Sequence, residues 1–415
     1  MLYLLIGYMF LFIHRPFEIW PWLGDMHIER VYIILAGAYW LLYPSKTLLL
    51  SRLDLGIAGF CAAVLIAFVL SPWGDKGQQV VEDFFKIVVF YGLVTTALNR
   101  PEQLKRLTFA FLMIMSLYML HSLWEYRNGR HTFRMGIQRL IGVDTTLGDP
   151  NSFGASIVYA LPFVRLFWLT SVNRWIRTFL VGYVGLSAVC IGLTGSRSSL
   201  LGLIAWTGIV ILQTKHRVRY LALAGLLAAA GFVALPGDLQ TRFETMIDPS
   251  VGPESARVSG QGRLDGWIKG FALLEKFPLT GCGPGVWRPA TGSTIESHSL
   301  YGQLMGELGG VGILAFGAFL TLVIMQIVRM RRQSRGIDSP DGRFIFHLTG
   351  AIGMAVFLLL LEGLFGHNLL RFNWLWYSGF LVIAAKAMRL ARGPVGYATP
   401  LPAPAWLAHH LPRPA

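Results

Sequence analysis

Apolar residues in this chain come in long blocks separated by polar connections. Twelve blocks approach membrane-spanning length: residues 1–14, 28–44, 54–71, 79–98, 104–124, 152–171, 176–194, 198–213, 218–235, 299–328, 345–365 and 370–388. A bilayer core about 30 Å thick is crossed by roughly 20 apolar residues in a helix. The pattern therefore predicts an all-α, polytopic membrane protein with about twelve transmembrane helices. Residues 1–14 lack a basic start and a small-residue cleavage site, so they read as the first span. Two connections are long, 125–151 and 236–298, and the second is the one large hydrophilic insertion. Loops of that length usually carry function. Within it Leu264, Trp267, Ile268, Phe271 and Leu274 recur at helical spacing, with Arg263, Lys269 and Lys276 interleaved and Pro278 as the stop. That reads as an amphipathic helix at the membrane surface. The prolines at 394, 400, 402, 404, 412 and 414 predict a disordered tail, 394–415, after a membrane domain spanning 1–393.

Composition supports the pattern. Hydrophobic residues make up 54% of the chain and charged residues 14%, with a mean hydropathy of +0.54, which excludes a soluble globular protein. The formal charge of +14 suggests nucleic acid at first sight. Its distribution says otherwise, because Lys and Arg gather in alternate short loops: Lys46 and Arg52; Arg100, Lys105 and Arg106; Arg174 and Arg177; Lys215, Arg217 and Arg219; Arg329, Arg331, Arg332, Arg335 and Arg343; and Lys386, Arg389 and Arg392. The positive-inside rule then places both termini in the cytoplasm and 236–298 outside, with no role for nucleic acid. Cys61, Cys190 and Cys282 are far apart and suggest neither a disulfide framework nor a zinc site.

The informative polar residues are those on the sparse side of this sorting. Arg197 follows a span in TGSRSS, Arg263 opens the amphipathic helix, Arg288 lies in the long loop, and Arg371 sits in GHNLLRFNW. Arg127, Arg130, Arg134 and Arg139 crowd the first long loop. Several outward guanidiniums suit an anionic ligand, since their planar forks match phosphate oxygens. Against this, any one of them can snorkel to a lipid headgroup. His298 stands where the long loop meets the next span, a position fit for a general base, with the bland alternative of a histidine bonded to backbone. His367, beside Asn368, is a second candidate. Asn151, in Asp149-Pro150-Asn151, reads first as a helix N-cap. Gly302, Gly306 and Gly310 predict close helix packing, and Gly281, Gly283 and Gly285 a flexible turn. Glu307, two turns beyond His298, is expensive in a membrane and is expected to pair with an arginine or orient a polar group. No Walker A, HExxH or Asp-x-Asp sequence occurs, which disfavours a nucleotide-driven pump, a metalloprotease and a metal-dependent nucleotide-sugar transferase.

Four segments carry a family resemblance: GDPNSFG at 148–154, TGSRSSL at 194–200, GRLDGWIKGFALLEKFPLTGCGPG at 262–285 and SHSLYGQLMGELGGVG at 297–312. Their order resembles the O-antigen ligase and O-antigen polymerase superfamily, with a ligase-like member favoured. The family often has His-Asn where this chain has His298-Ser299. The resemblance implies transfer of a glycan from undecaprenyl diphosphate to an acceptor hydroxyl, such as lipid A-core, at the periplasmic face of the bacterial inner membrane. It implies that Arg197 and Arg263 hold the diphosphate and that His298 activates the acceptor. Arg371, Arg288, Asn151, His367, Glu307 and Trp267 are expected around the substrates, with no metal and no cofactor. The alternatives are a polymerase of the same superfamily, or a transporter or flippase for an anionic lipid or solute.

Overall fold

The computed structural model describes the backbone at residues 1–134, 136–144, 148–248 and 254–391, and the side chains at all of these except 134, 254–263 and 391. The proline-rich segment 394–415 lies outside the described residues. In chain order the helices are α1 (Leu2–His14), α2 (Pro16–Ile19), α3 (Pro21–Asp25), α4 (Ile28–Leu42), α5 (Arg52–Val69), α6 (Gln78–Ala97), α7 (Pro101–Arg127), α8 (Pro150–Thr170), α9 (Arg174–Thr194), α10 (Arg197–Leu212), α11 (Arg217–Val233), α12 (Gly237–Glu244), α13 (Glu254–Lys276), α14 (Trp287–Thr291), α15 (Leu300–Ser334), α16 (Pro340–Glu362) and α17 (Phe372–Ala391). An antiparallel hairpin, β1 (Thr132–Arg134) with β2 (Ile137–Arg139), is a small departure from the expected all-α fold.

Each of the twelve apolar blocks falls on a helix. Among the described residues, seven stretches are long and apolar enough to cross a membrane: Leu2–Ile19, Arg52–Val69, Pro101–Arg127, Pro150–Thr170, Arg174–Thr194, Leu300–Ser334 and Pro340–Glu362. The others fall short for local reasons. Glu82, Asp83 and Lys86 interrupt α6, Asn373, Lys386 and Arg389 lower the hydropathy of α17, and α4, α10 and α11 have 15, 16 and 17 residues. Helix starts follow side-chain chemistry. Ser51, Asp149, Asn173, Ser196, Ser299 and Ser339 each accept a backbone N–H at an N-cap. The middle of the bundle is aromatic, with Trp376, Tyr377 and Phe90 buried against their neighbours. By contrast α11 has no buried residue.

The fold departs from the sequence pattern most sharply in α15. The block 299–328 reads as one continuous span, but the helix is broken at Gly309, whose φ of 59° and ψ of −159° only glycine adopts readily. Segment 278–283 takes up the backbone groups the break sets free. The N–H of Cys282 and of Gly283 donate to the carbonyls of Gly306 and Glu307 at 2.8 and 3.0 Å. In return the N–H of Gly310 and of Val311 donate to the carbonyls of Pro278 and Leu279 at 2.8 and 2.9 Å.

The amphipathic helix is present as part of α13, which ends before Pro278. It packs on the first half of α15 through glycines, as expected of Gly302 and Gly306. A Cβ on Gly302 would stand 2.3 Å from the Gly266 carbonyl, and one on Gly270 would stand 2.6 Å from the Gly302 carbonyl. Leu264, Ile268 and Phe271 remain exposed on the other face.

Candidate functional site

A cavity of about 300 Å³ opens where the first turns of α8 and α10, the loop before α15 and the α16–α17 connection converge. Asn151, Arg288, His298, His367 and Arg371 all line it. All five are candidates on sequence, from three separate regions of the chain, and folding brings them to one place.

His298 is held from its C-terminal side. Ser299 caps α15, its Oγ accepting the N–H of Tyr301 and of Gly302 at 3.2 and 3.3 Å. Leu300 N–H donates to the Gly363 carbonyl at 2.7 Å, which ties the loop to the end of α16. Serine at 299 is therefore a helix cap, a role that asparagine fills equally well. His367 faces His298 at 6.5 Å between ring centroids.

Arg371 is anchored on α8. Its Nη1 donates to the Ser152 carbonyl at 3.1 Å and to the Ser156 hydroxyl at 3.0 Å. The N-cap of α8 is Asp149 rather than Asn151, because its Oδ1 accepts the N–H of Asn151 and of Ser152 at 3.1 and 3.3 Å. Asn151 instead accepts from Arg139 Nη2 at 2.9 Å. Water reaches Asp149 and His367 through the cavity, although protein crowds both. Burial would raise the Asp149 pKa, but the Ser152 hydrogen bond, Arg371 and His367 outweigh it, and the carboxyl titrates below its usual range. Crowding by protein pushes His367 down, against the pull of Asp149, and Arg371, His298 and Arg288 push the same way. At the mouth Arg288 Nε pairs with Glu296 Oε1 at 2.8 Å, and burial raises Glu296 despite that partner.

Other marked residues lie elsewhere. Arg197 is beside the cavity: its Nη1 donates to Thr245 Oγ1 at 3.2 Å, and it is the next residue, Ser198, that lines the wall. Arg263 is on α13, and its side chain is outside the described residues. Glu307 is buried away from the cavity lining, where it accepts from Gln303 Nε2 at 3.1 Å and from the backbone N–H of Gly285 and Trp287. It thus orients polar groups of the glycine-rich turn, which places its effect on the fold of the loop. Trp267 stacks on Tyr301 at 5.2 Å between centroids. Arg139, expected among the outward cations, is instead fully buried and donates from Nε to the Thr194 carbonyl at 2.5 Å. Cys282 is a filler: it packs with Leu273, Val286 and Trp287, and burial pushes its thiol up to about 12.

Sequence reading missed Glu362, Tyr159 and Ser198, which line the cavity as well. Glu362 had a signal. It is a carboxylate closing an apolar run, as costly there as the arginines that were noticed. Its space comes from Gly202, where a Cβ would lie 2.6 Å from Glu362 Oε1.

No curated protein matches this chain. Residues 182–317, from within α9 to just past the break in α15, match the O-antigen ligase family. That stretch contains Arg197, Arg263, Arg288 and His298, while Asn151, His367 and Arg371 come from outside it. Over this stretch the chain accordingly carries an O-antigen ligase domain, set within a nearly all-helical, multi-pass membrane protein.

Proposed function

We propose that this protein transfers a glycan from undecaprenyl diphosphate to an acceptor hydroxyl at the periplasmic face of the bacterial inner membrane. O-antigen ligation to lipid A-core is the favoured reaction. The observation that carries the reading is the cavity itself, in which two histidines and two arginines meet in a chain with an O-antigen ligase domain.

In the reaction the acceptor oxygen bonds to the anomeric carbon as the bond from that carbon to the diphosphate oxygen breaks. His298 takes the acceptor proton. Arg371 and Arg288, with Arg197 and Arg263 from the flanking helices, balance the charge that grows on the leaving diphosphate. A single displacement inverts the anomeric centre. The supply of guanidiniums supports a reaction without a divalent cation. Asp149, held ionised, and Glu362 are suited to accept hydrogen bonds from sugar hydroxyls.

Deletion of the gene followed by a gel of surface polysaccharides tests the reading. Lipid A-core left without any polysaccharide cap supports ligation. Caps of a single repeat replace it with the polymerase reading, and an unchanged profile rejects both.

A further inference from the structure

Three of the elements that frame the cavity also reach the far end of the bundle, where a second polar cluster gathers. Asn151 and Arg165 lie 14 residues apart on α8, about 21 Å at the helical rise of roughly 1.5 Å per residue. Ser198 and Gln213 stand at opposite ends of α10, and Glu362 and His347 are likewise separated along α16. Arg165 hydrogen-bonds the Gln213 side chain, so α8 and α10 meet at this end. Arg331, in the last turn of α15, lies 4.6 Å above the Phe346 ring of α16. Its Nη1 occupies the notch left by Gly350, where a Cβ would stand 2.7 Å away. Arg165, Arg331 and Arg343 all act electrostatically on His347.

Among the described residues, none of these arginines forms an ion pair with a carboxylate. Like charges brought together repel, and the arrangement is eased by an anion between them. The charge bias of loops accounts for Arg331 and Arg343 but not for Arg165, which sits inside α8, five residues before its end at Thr170. The surroundings show which anion fits. Trp168 and Leu169, just past Arg165, are 44% and 47% exposed, and Arg177 covers the Trp168 ring at 5.4 Å. Exposed tryptophan beside arginine marks the depth of lipid headgroups, and basic recesses between helices at that depth hold anionic lipids.

We propose that Arg165, Arg331 and Arg343 bind the phosphate of an anionic phospholipid in the leaflet opposite the cavity. The lipid bridges the ends of α8, α15 and α16, and the other ends of α8 and α16 line the cavity. The site is independent of the transfer reaction and does not depend on which glycan is moved.

The test uses the purified full-length protein, titrated with cardiolipin against phosphatidylethanolamine, with thermal stability and native mass spectrometry as readouts. Cardiolipin is expected to raise the melting temperature and to remain bound. The pair Arg331→Gln with Arg343→Gln is expected to weaken its binding by about 30-fold. Since neutral substitutions also weaken the charge bias that sets topology, Arg331→Lys with Arg343→Lys is the second variant. It keeps the charge and loses the fork, so it is expected to insert normally and bind more weakly than wild type. Wild-type cardiolipin affinity in both pairs overturns the proposal, as does equal stabilisation by phosphatidylethanolamine. An equal shift from inorganic phosphate alone assigns the cluster to a free anion and rejects the lipid.

Discussion

The His298 and His367 rings stand 6.5 Å apart at a tilt of 44°, both lining one cavity although one precedes α15 and the other follows α16. Only His298 is fixed by an adjoining helix cap and a tie to Gly363. His298→Ala is therefore expected to keep its fold and lose transfer by about two to four orders of magnitude, the usual worth of a general base. His367→Ala should lose less. Single-turnover assays with a purified lipid-linked glycan donor decide this, and near-normal turnover in His298→Ala would move the base to His367.

Arg371 uses one nitrogen to grip both Ser152 and Ser156, so its guanidinium plane is set before substrate arrives. Lysine restores the charge without the fork. Arg371→Lys should accordingly retain stability and lose at least about tenfold in kcat/KM, with Arg197→Lys and Arg263→Lys also impaired. Wild-type enzyme should work in excess chelator. Loss of activity in chelator, restored by magnesium, would contradict the arginine-based mechanism.

Gly309 tests the architecture apart from the chemistry. A Cβ there would meet the Gly281 nitrogen at 2.5 Å, in a backbone conformation that costs other residues about 1–3 kcal/mol. Gly309→Ala should lower the melting temperature and impair transfer together. Gly317→Ala, with nothing within 4 Å of the added methyl, should leave both intact or raise stability slightly. A stable, active Gly309→Ala protein would mean that α15 runs straight.

The pH dependence of stability has a definite sign at His367. Its folded pKa is held below the unfolded value of about 6.5. Between the two values the unfolded chain binds more protons, so stability falls as the solution is acidified from about pH 6.5. Asp149, whose folded pKa is also lowered, stabilises the fold above its unfolded value and loses that contribution only at lower pH, below about 4. Thermal melts of His367→Gln should thus be flatter than wild type just below pH 6.5. Parallel curves would show that His367 is not held neutral.

Orientation is tested by a cysteine at Ser293, between α14 and α15. It should react with an impermeant thiol reagent in cells with a permeabilised outer membrane. Reaction only after inner-membrane lysis would invert the proposed topology.

Much of this was legible in the sequence because burial in lipid is written as composition. Every apolar block became a helix, and Pro278 ends α13 as its position predicts. Legibility failed where one residue type serves two purposes. Gly309 breaks α15 while Gly302 and Gly306 in the same helix pack it, and spacing alone does not separate a breaking glycine from a packing one. Arginine was ambiguous in the same way. Arg371 reaches the cavity, whereas Arg139 spends its donors on the Thr194 carbonyl and Asn151. Glu362 signalled only its cost at the end of an apolar run, while its neighbour in space, Gly202, lies on another helix and carries no side chain to announce the meeting.

The stitched break in α15 also bears on the order of assembly. Segment 278–283 bonds to α15 on one side, and on the other the Cys282 carbonyl accepts from Ser71 Oγ at 2.6 Å, in the connection between α5 and α6. Parts of the chain made early and late in synthesis must therefore meet before the loop bearing His298 takes its shape. A partly inserted chain has the arginines and histidines but not the arrangement. On the proposed reading, reactivity is in this way deferred until the bundle has closed.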